Sequence, residues 1–139
     1  MFTRIAISSL LMLLLCASPA LARRAETASE KRRVEYDRRL GSTYDDTFRV
    51  AARIRLGKPI GEFEAYALAS AYFFAHINGC GGAELPKDKG DRWIAQSKEG
   101  YAGAPGPQVI VEKKTGITYS PGRPKVKDPK EYLKFIRNI

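Results

Sequence analysis

Apolar residues are spaced differently along successive stretches of the chain, and the spacing predicts the elements. Ile5 to Leu15 is an apolar run broken only by Ser8 and Ser9. Residues 23–41 invert that pattern. Arg23, Arg24, Glu26, Glu30, Lys31, Arg32, Arg33, Glu35, Asp37, Arg38 and Arg39 crowd the stretch, and only Val34, Tyr36 and Leu40 are able to face a core. It is expected as a charged tether or a solvent-exposed helix, ended by Gly41. Phe48, Ala52 and Leu56 then recur every fourth residue, the repeat of a helix face. Thr43 or Asp45 would cap its start, and Gly57 with Pro59 would stop it. From Gly61 to about Asn78 the chain is apolar nearly all round. Phe63, Tyr66, Ala67, Ser70, Phe74 and Ile77 share one face, and Leu68, Ala69, Tyr72, Phe73 and Ala75 cover much of the rest. Glu62 and Glu64 sit in the first turn, where the helix dipole favours acids. A helix of this kind is buried on most sides, so we expect it at the centre of the core.

Beyond it the pattern changes. Asn78-Gly79-Cys80-Gly81-Gly82 ends the helix in a sharp turn, and Pro86 with residues 87–90 continues as loop. Arg92 to Ser97 reads as a strand, Tyr101 to Pro107 as a loop or bulge, and Gln108 to Lys113 as a strand rich in β-branched residues. Lys114-Thr115-Gly116 is a turn and Ile117 to Ser120 the returning partner, which makes a hairpin. Asp128 and Pro129 open a last helix carrying Tyr132, Leu133, Phe135 and Ile136. Helices followed by strands predict an α+β domain over 42–139, its N-terminal helices packed on a curved antiparallel sheet.

Composition alters this picture first at the N-terminus. Arg4, the apolar run and the small residues Ala20 and Ala22 form the pattern of a cleavable export signal over residues 1–22. The run is short of the roughly 20 apolar residues that a permanent membrane span requires, although Arg23 and Arg24 would suit an uncleaved anchor. Leu15 before Cys16 argues against lipid attachment, which asks for a small residue there. The whole chain has 139 residues and a net charge of +9. Loss of residues 1–22 removes Arg4 and Cys16 and no acid, which leaves one domain of net charge +8 with a single cysteine, Cys80. An intrachain disulfide is then impossible even in an oxidising compartment. Cys80 is buried, free, or paired with another chain, and burial suits a thiol that packs as a small hydrophobe. An exported basic domain disfavours nucleic acid as partner. It fits an acidic protein surface, an anionic membrane face, a wall polymer or simply a soluble surface.

The candidate chemistry is sparse. His76 and Cys80 are the only histidine and cysteine left after export, so a nucleophile and base pair would have to be these two. Gly79 is expected to end the helix between them and no nucleophile elbow surrounds them, so no catalytic site is expected. His76, Cys80, Glu84 and Asp88 match no known metal spacing, and neither a metal nor a cofactor is expected. Glycines 79, 81 and 82 follow a helix rather than a strand and lead to no Gly-Lys-Ser/Thr, so they are a cap and not a phosphate cradle. Trp93, Tyr101 and Tyr119 are candidate partner contacts, since aromatic residues anchor interfaces. They serve equally well as core or sheet-face residues.

Residues 76–82 (His76-Ile77-Asn78-Gly79-Cys80-Gly81-Gly82), Pro86, Gly90-Asp91-Arg92-Trp93, Gly100-Tyr101-Ala102-Gly103 and Ile110 to Gly116 occur in an order that resembles the immunity proteins with a nuclear-transport-factor-2-like fold. These are small bacterial proteins that neutralise polymorphic toxins. The likeness covers roughly residues 61–122. It implies a cone of helices cupped by a curved sheet, and function by binding a cognate toxin rather than by catalysis. The export signal would place that neutralisation in the periplasm. The alternatives are a small periplasmic enzyme with a pocket near His76 and a cell-envelope surface-binding protein. The oligomeric state is left open.

Overall fold

The structure, a computed structural model, describes residues 27–77, 82–98 and 106–137. The chain divides into two compact units, Met1–Val34 and Glu35–Ile139. Of the first, residues 27–34 are described and are helical, with Val34 60 % exposed. In the second unit, residues 35–40 are helical and are called α1. There Leu40 is buried and the Tyr36 ring packs edge-on to Phe63 at 5.2 Å. Gly41 ends α1 with φ 94°, its N–H donating to the Asp37 carbonyl at 3.2 Å. A side chain at Gly41 would collide with the Asp46 side chain, so this left-handed residue also lets the next helix start close by.

That helix, α2, spans Tyr44–Ala52. Thr43 caps it in a reciprocal box. Its Oγ1 accepts from the Asp46 N–H at 3.1 Å, and its own N–H donates to Asp46 Oδ2 at 3.2 Å. The helical spacing in the sequence carried on to Leu56, but α2 stops a turn earlier. The N–H groups of Arg53 and Ile54 donate back three residues, to Val50 and Ala51, and tighten the last turn. Leu56 leaves the helix and lies against Gly116, where a Cβ would overlap its Cδ2.

The central helix α3 spans Glu62–Tyr72, and all of residues 65–72 are buried. Alanines at 65, 67, 69 and 71 hold its surface flat, so other elements approach on every side. The sequence predicts one helix to Asn78. Instead, Phe73–Ile77 is a π-helical turn. Arg123 Nη1 donates to the His76 carbonyl at 2.8 Å, satisfying one of the acceptors that a helix end leaves free.

Among the described residues four strands follow, β1 (Lys87–Asp88), β2 (Arg92–Gln96), β3 (Gln108–Glu112) and β4 (Thr118–Tyr119), in the order β1-β2-β3-β4 and all antiparallel. β1 lies where the sequence reads as loop. It is held by a tight turn in which Asp88 Oδ1 accepts from the Gly90 N–H at 2.9 Å and Gly90 takes φ 88°. The predicted hairpin is present, with Val111 opposite Thr118 and Ile110 opposite Tyr119. Trp93, Ala95, Val109, Val111 and Thr118 share one face by register, and all but half-buried Trp93 are buried. The opposite face carries Ile94, Gln96, Ile110, Glu112 and Tyr119. Thr118 and Val126 exchange backbone hydrogen bonds at 3.0 and 2.8 Å, which occupy the outer edge of β4.

The last element, Pro129–Phe135, is a 3-10 helix. As predicted, Asp128 is its cap and Pro129 opens it. Tyr132 is wholly buried and stacks on Phe48 at 6.2 Å. The architecture is thus α+β, an open four-stranded antiparallel sheet with helices. Among the described residues no helix is long and apolar enough to cross a membrane.

Candidate functional site

Cys80 and Tyr101 lie outside the described residues. The other three residues singled out from the sequence do not converge. Trp93 lies on the core-facing side of β2, its indole N–H donating to the Ile60 carbonyl at 2.8 Å and Lys113 Nζ standing 4.7 Å from its ring. Tyr119 is on the opposite face, with Lys125 Nζ 4.8 Å from its ring. His76 is in the π-helical turn, its ring 4.9 Å from Tyr72 and 5.4 Å from Phe135. Burial pushes its pKa below the ordinary histidine value. Glu131 opposes that shift and Arg123 reinforces it. The imidazole is therefore neutral near pH 7.

The Phe135 ring that His76 meets is part of the wall of a cleft of about 300 Å³. Thr43, Tyr44, Asp45 and Phe48 line the cleft from the start of α2, Phe74 from the π-helical turn, and Phe135 and Arg137 from the C-terminal end. The walls are mostly aromatic. The Tyr44 ring packs tilted against Phe74 at 4.4 Å and Phe48 against Phe135 at 5.7 Å. The polar side is a crosslink: the Arg137 N–H donates to Asp45 Oδ1 at 3.2 Å. Tyr44 is half exposed at 49 %.

The Tyr44–Phe74 pair also divides this cleft from a smaller one of about 160 Å³, which contains Ser70 and Gly82. An ion pair borders it, Lys98 Nζ donating to both carboxylate oxygens of Asp37 at 3.1 Å. The Tyr66 hydroxyl donates to the same carboxylate. Three long-range contacts thereby lock α1 to α3 and to the end of β2.

Phe74 and Phe135 were legible only as core residues, because they lie on the apolar faces of their helices. Tyr44 carried one signal, a large aromatic residue just inside a helix cap, where burial is incomplete. Among the described residues no group of three His, Cys, Asp or Glu side chains is placed to hold a metal ion. No protein-family model, curated protein or solved structure matches the chain.

Proposed function

We propose that this chain is an exported binding protein of the inhibitor type, which neutralises a protein toxin by direct contact, as the immunity proteins it resembles do. Helices cupped by a curved sheet, as in the nuclear-transport-factor-2-like cone, would be its scaffold. The observation that carries this reading is the aromatic cleft. Tyr44, Phe48, Phe74 and Phe135 come from three elements, pack as two tilted ring pairs, and leave Tyr44 half open beside a polar rim. Rigid aromatic anchors of this kind supply most of the binding energy at interfaces at small entropic cost.

The test is capture of the toxin-like product of an adjacent gene by the purified protein, together with rescue of cells that express that product. Tyr44→Ala is expected to weaken the complex about tenfold or more, in the range of a lost aromatic anchor. Absence of any such partner, or rescue unaffected by Tyr44→Ala combined with Phe74→Ala, overturns the reading.

One observation favours enzymatic use of the cleft instead. The neutral His76 imidazole stands one ring behind its wall, and a neutral histidine is a general base. Turnover abolished by His76→Gln in a correctly folded protein would establish that alternative.

A further inference from the structure

The same helix pair carries a second cleft. The start of α2 and the end of the 3-10 helix line the aromatic cleft. The end of α2 and the start of the 3-10 helix line a larger one of about 840 Å³. The two helices therefore run antiparallel, with a cleft at each end. Ala52, Ile54, Leu56 and Pro129 give the second cleft an apolar floor, and Leu56 is 41 % exposed.

Its rim is cationic. Arg53 and Arg55 reach it from the end of α2 and Lys130 from the 3-10 helix, and all three are exposed. None has an acidic partner among the described residues. The acid present, Asp128, uses its Oδ1 to accept the Lys130 N–H at 2.9 Å as the helix cap. The helix dipole accounts for part of this. Arg53 and Arg55 follow the C-terminal end of α2, where cations are favoured. Lys130 is in a first turn, where they are disfavoured. Asp128 offsets one of the three charges, and the excess of two, drawn from two elements around one cleft, favours a further anion between them.

We propose that this cleft is the docking surface for an acidic segment of the protein partner, in which carboxylates meet Arg53, Arg55 and Lys130 and an apolar side chain covers Ile54 and Leu56. This rests on the binding function proposed above and names the chemistry of what is bound. Guanidinium groups favour carboxylates because their paired N–H donors match both oxygens. A lipid headgroup or a wall polyanion offers charge without an apolar residue set between carboxylates, so the mixed lining favours a peptide.

The experiment uses the protein expressed from its full sequence and purified. A fluorescein-labelled Glu-Glu-Leu-Asp-Glu-Leu peptide, its Gln/Asn counterpart, and phosphatidylglycerol vesicles are the probes. The expected result is binding of the acidic peptide that weakens about tenfold or more in Arg53→Ala/Arg55→Ala/Lys130→Ala. A variant with the same charge removed elsewhere, Lys87→Ala/Lys89→Ala/Lys114→Ala, should change it less than about twofold. Circular dichroism checks folding, and Arg55→Glu alone gives a second reading with a single exposed change. Equal losses in both triple variants, equal binding of the uncharged peptide, or no binding at all overturns the proposal. So does vesicle binding that depends on the cleft while peptide binding does not. The peptide is synthetic, so this outcome stands apart from whether a toxin partner exists. If a captured toxin binds the cleft variant as tightly as the parent protein, the docking surface falls and the binding function stands.

Discussion

Tyr132 presents a problem of single-residue chemistry. It is fully buried, and among the described residues its hydroxyl finds no hydrogen-bond partner. Burial pushes that hydroxyl well above the ordinary tyrosine range, so it stays protonated. An unpartnered buried hydroxyl costs about 1–3 kcal/mol of desolvation. Tyr132→Phe keeps the stack on Phe48 and removes the orphaned group. Urea unfolding is expected to show a variant at least as stable as the parent protein, and a loss of more than about 1 kcal/mol would mean the hydroxyl has a partner. His76 gives the matching prediction in pH. Its pKa is lowered in the fold, chiefly by burial, so the unfolded chain binds the extra proton. Its contribution to stability is complete above the ordinary histidine value of about 6.5 and falls as pH drops through that value toward the folded one. Urea midpoints between pH 7.5 and 5.5 should therefore decline, and His76→Gln should flatten the decline. Asp46, Asp88 and Asp91 do not blur this window. Hydrogen bonds from Thr43, Lys113 and Arg92 respectively lower their pKa values, so their contributions are lost only below about pH 4.

Among the elements, the ends diverge most from the sequence pattern. Thr43 as one of two candidate caps, the cap at Asp128 and the hairpin turn at 114–116 were legible because local hydrogen bonds fix them, whereas the reciprocal bond from Thr43 to Asp46 was not read. The early stop of α2, the π-helical turn and β1 were not. Each depends on a residue distant in sequence or on a turn only a few residues long. Leu56 is the clearest case. Its spacing placed it on a helix face, while Gly116, at φ 71° in the hairpin loop, leaves room for it outside the helix. Gly116→Ala is expected to cost about 1–2 kcal/mol, from left-handed strain and from overlap with Leu56. Leu56→Ala should relieve the overlap, so the double variant should lose less than the two single changes together, by about 0.5 kcal/mol or more in a urea double-mutant cycle. Strict additivity would show that only backbone strain acts.

For the whole molecule, the arrangement of α2 against the 3-10 helix decides where the aromatic and cationic clefts lie. An aromatic cleft and a cationic one lie at opposite ends of a nine-residue helix, about 13 Å apart along its axis. On the proposed binding function, one extended segment of a partner would be long enough to reach both. The proposed export belongs at this scale as well. Mass spectrometry of the protein made from its full sequence in a bacterial host is expected to find a mature chain starting at Arg23, and an intact Met1 in the envelope fraction would overturn it.

Period and turn chemistry are local, so the sequence alone determined the α+β class, the buried character of α3, the hairpin and the cap at Asp128, and it narrowed the cap of α2 to two residues. It also determined the net positive charge. Only the tertiary structure decided which aromatic residues line a cleft and which are core. Phe74 and Phe135 sit on apolar faces like any buried residue, and they border a cleft because α2 and the 3-10 helix meet antiparallel at those rings. The gathering of Arg53, Arg55 and Lys130 is tertiary for the same reason. Long-range packing of Phe48 on Tyr132 brings together charges that lie more than seventy residues apart in the sequence, and no local pattern encodes that meeting.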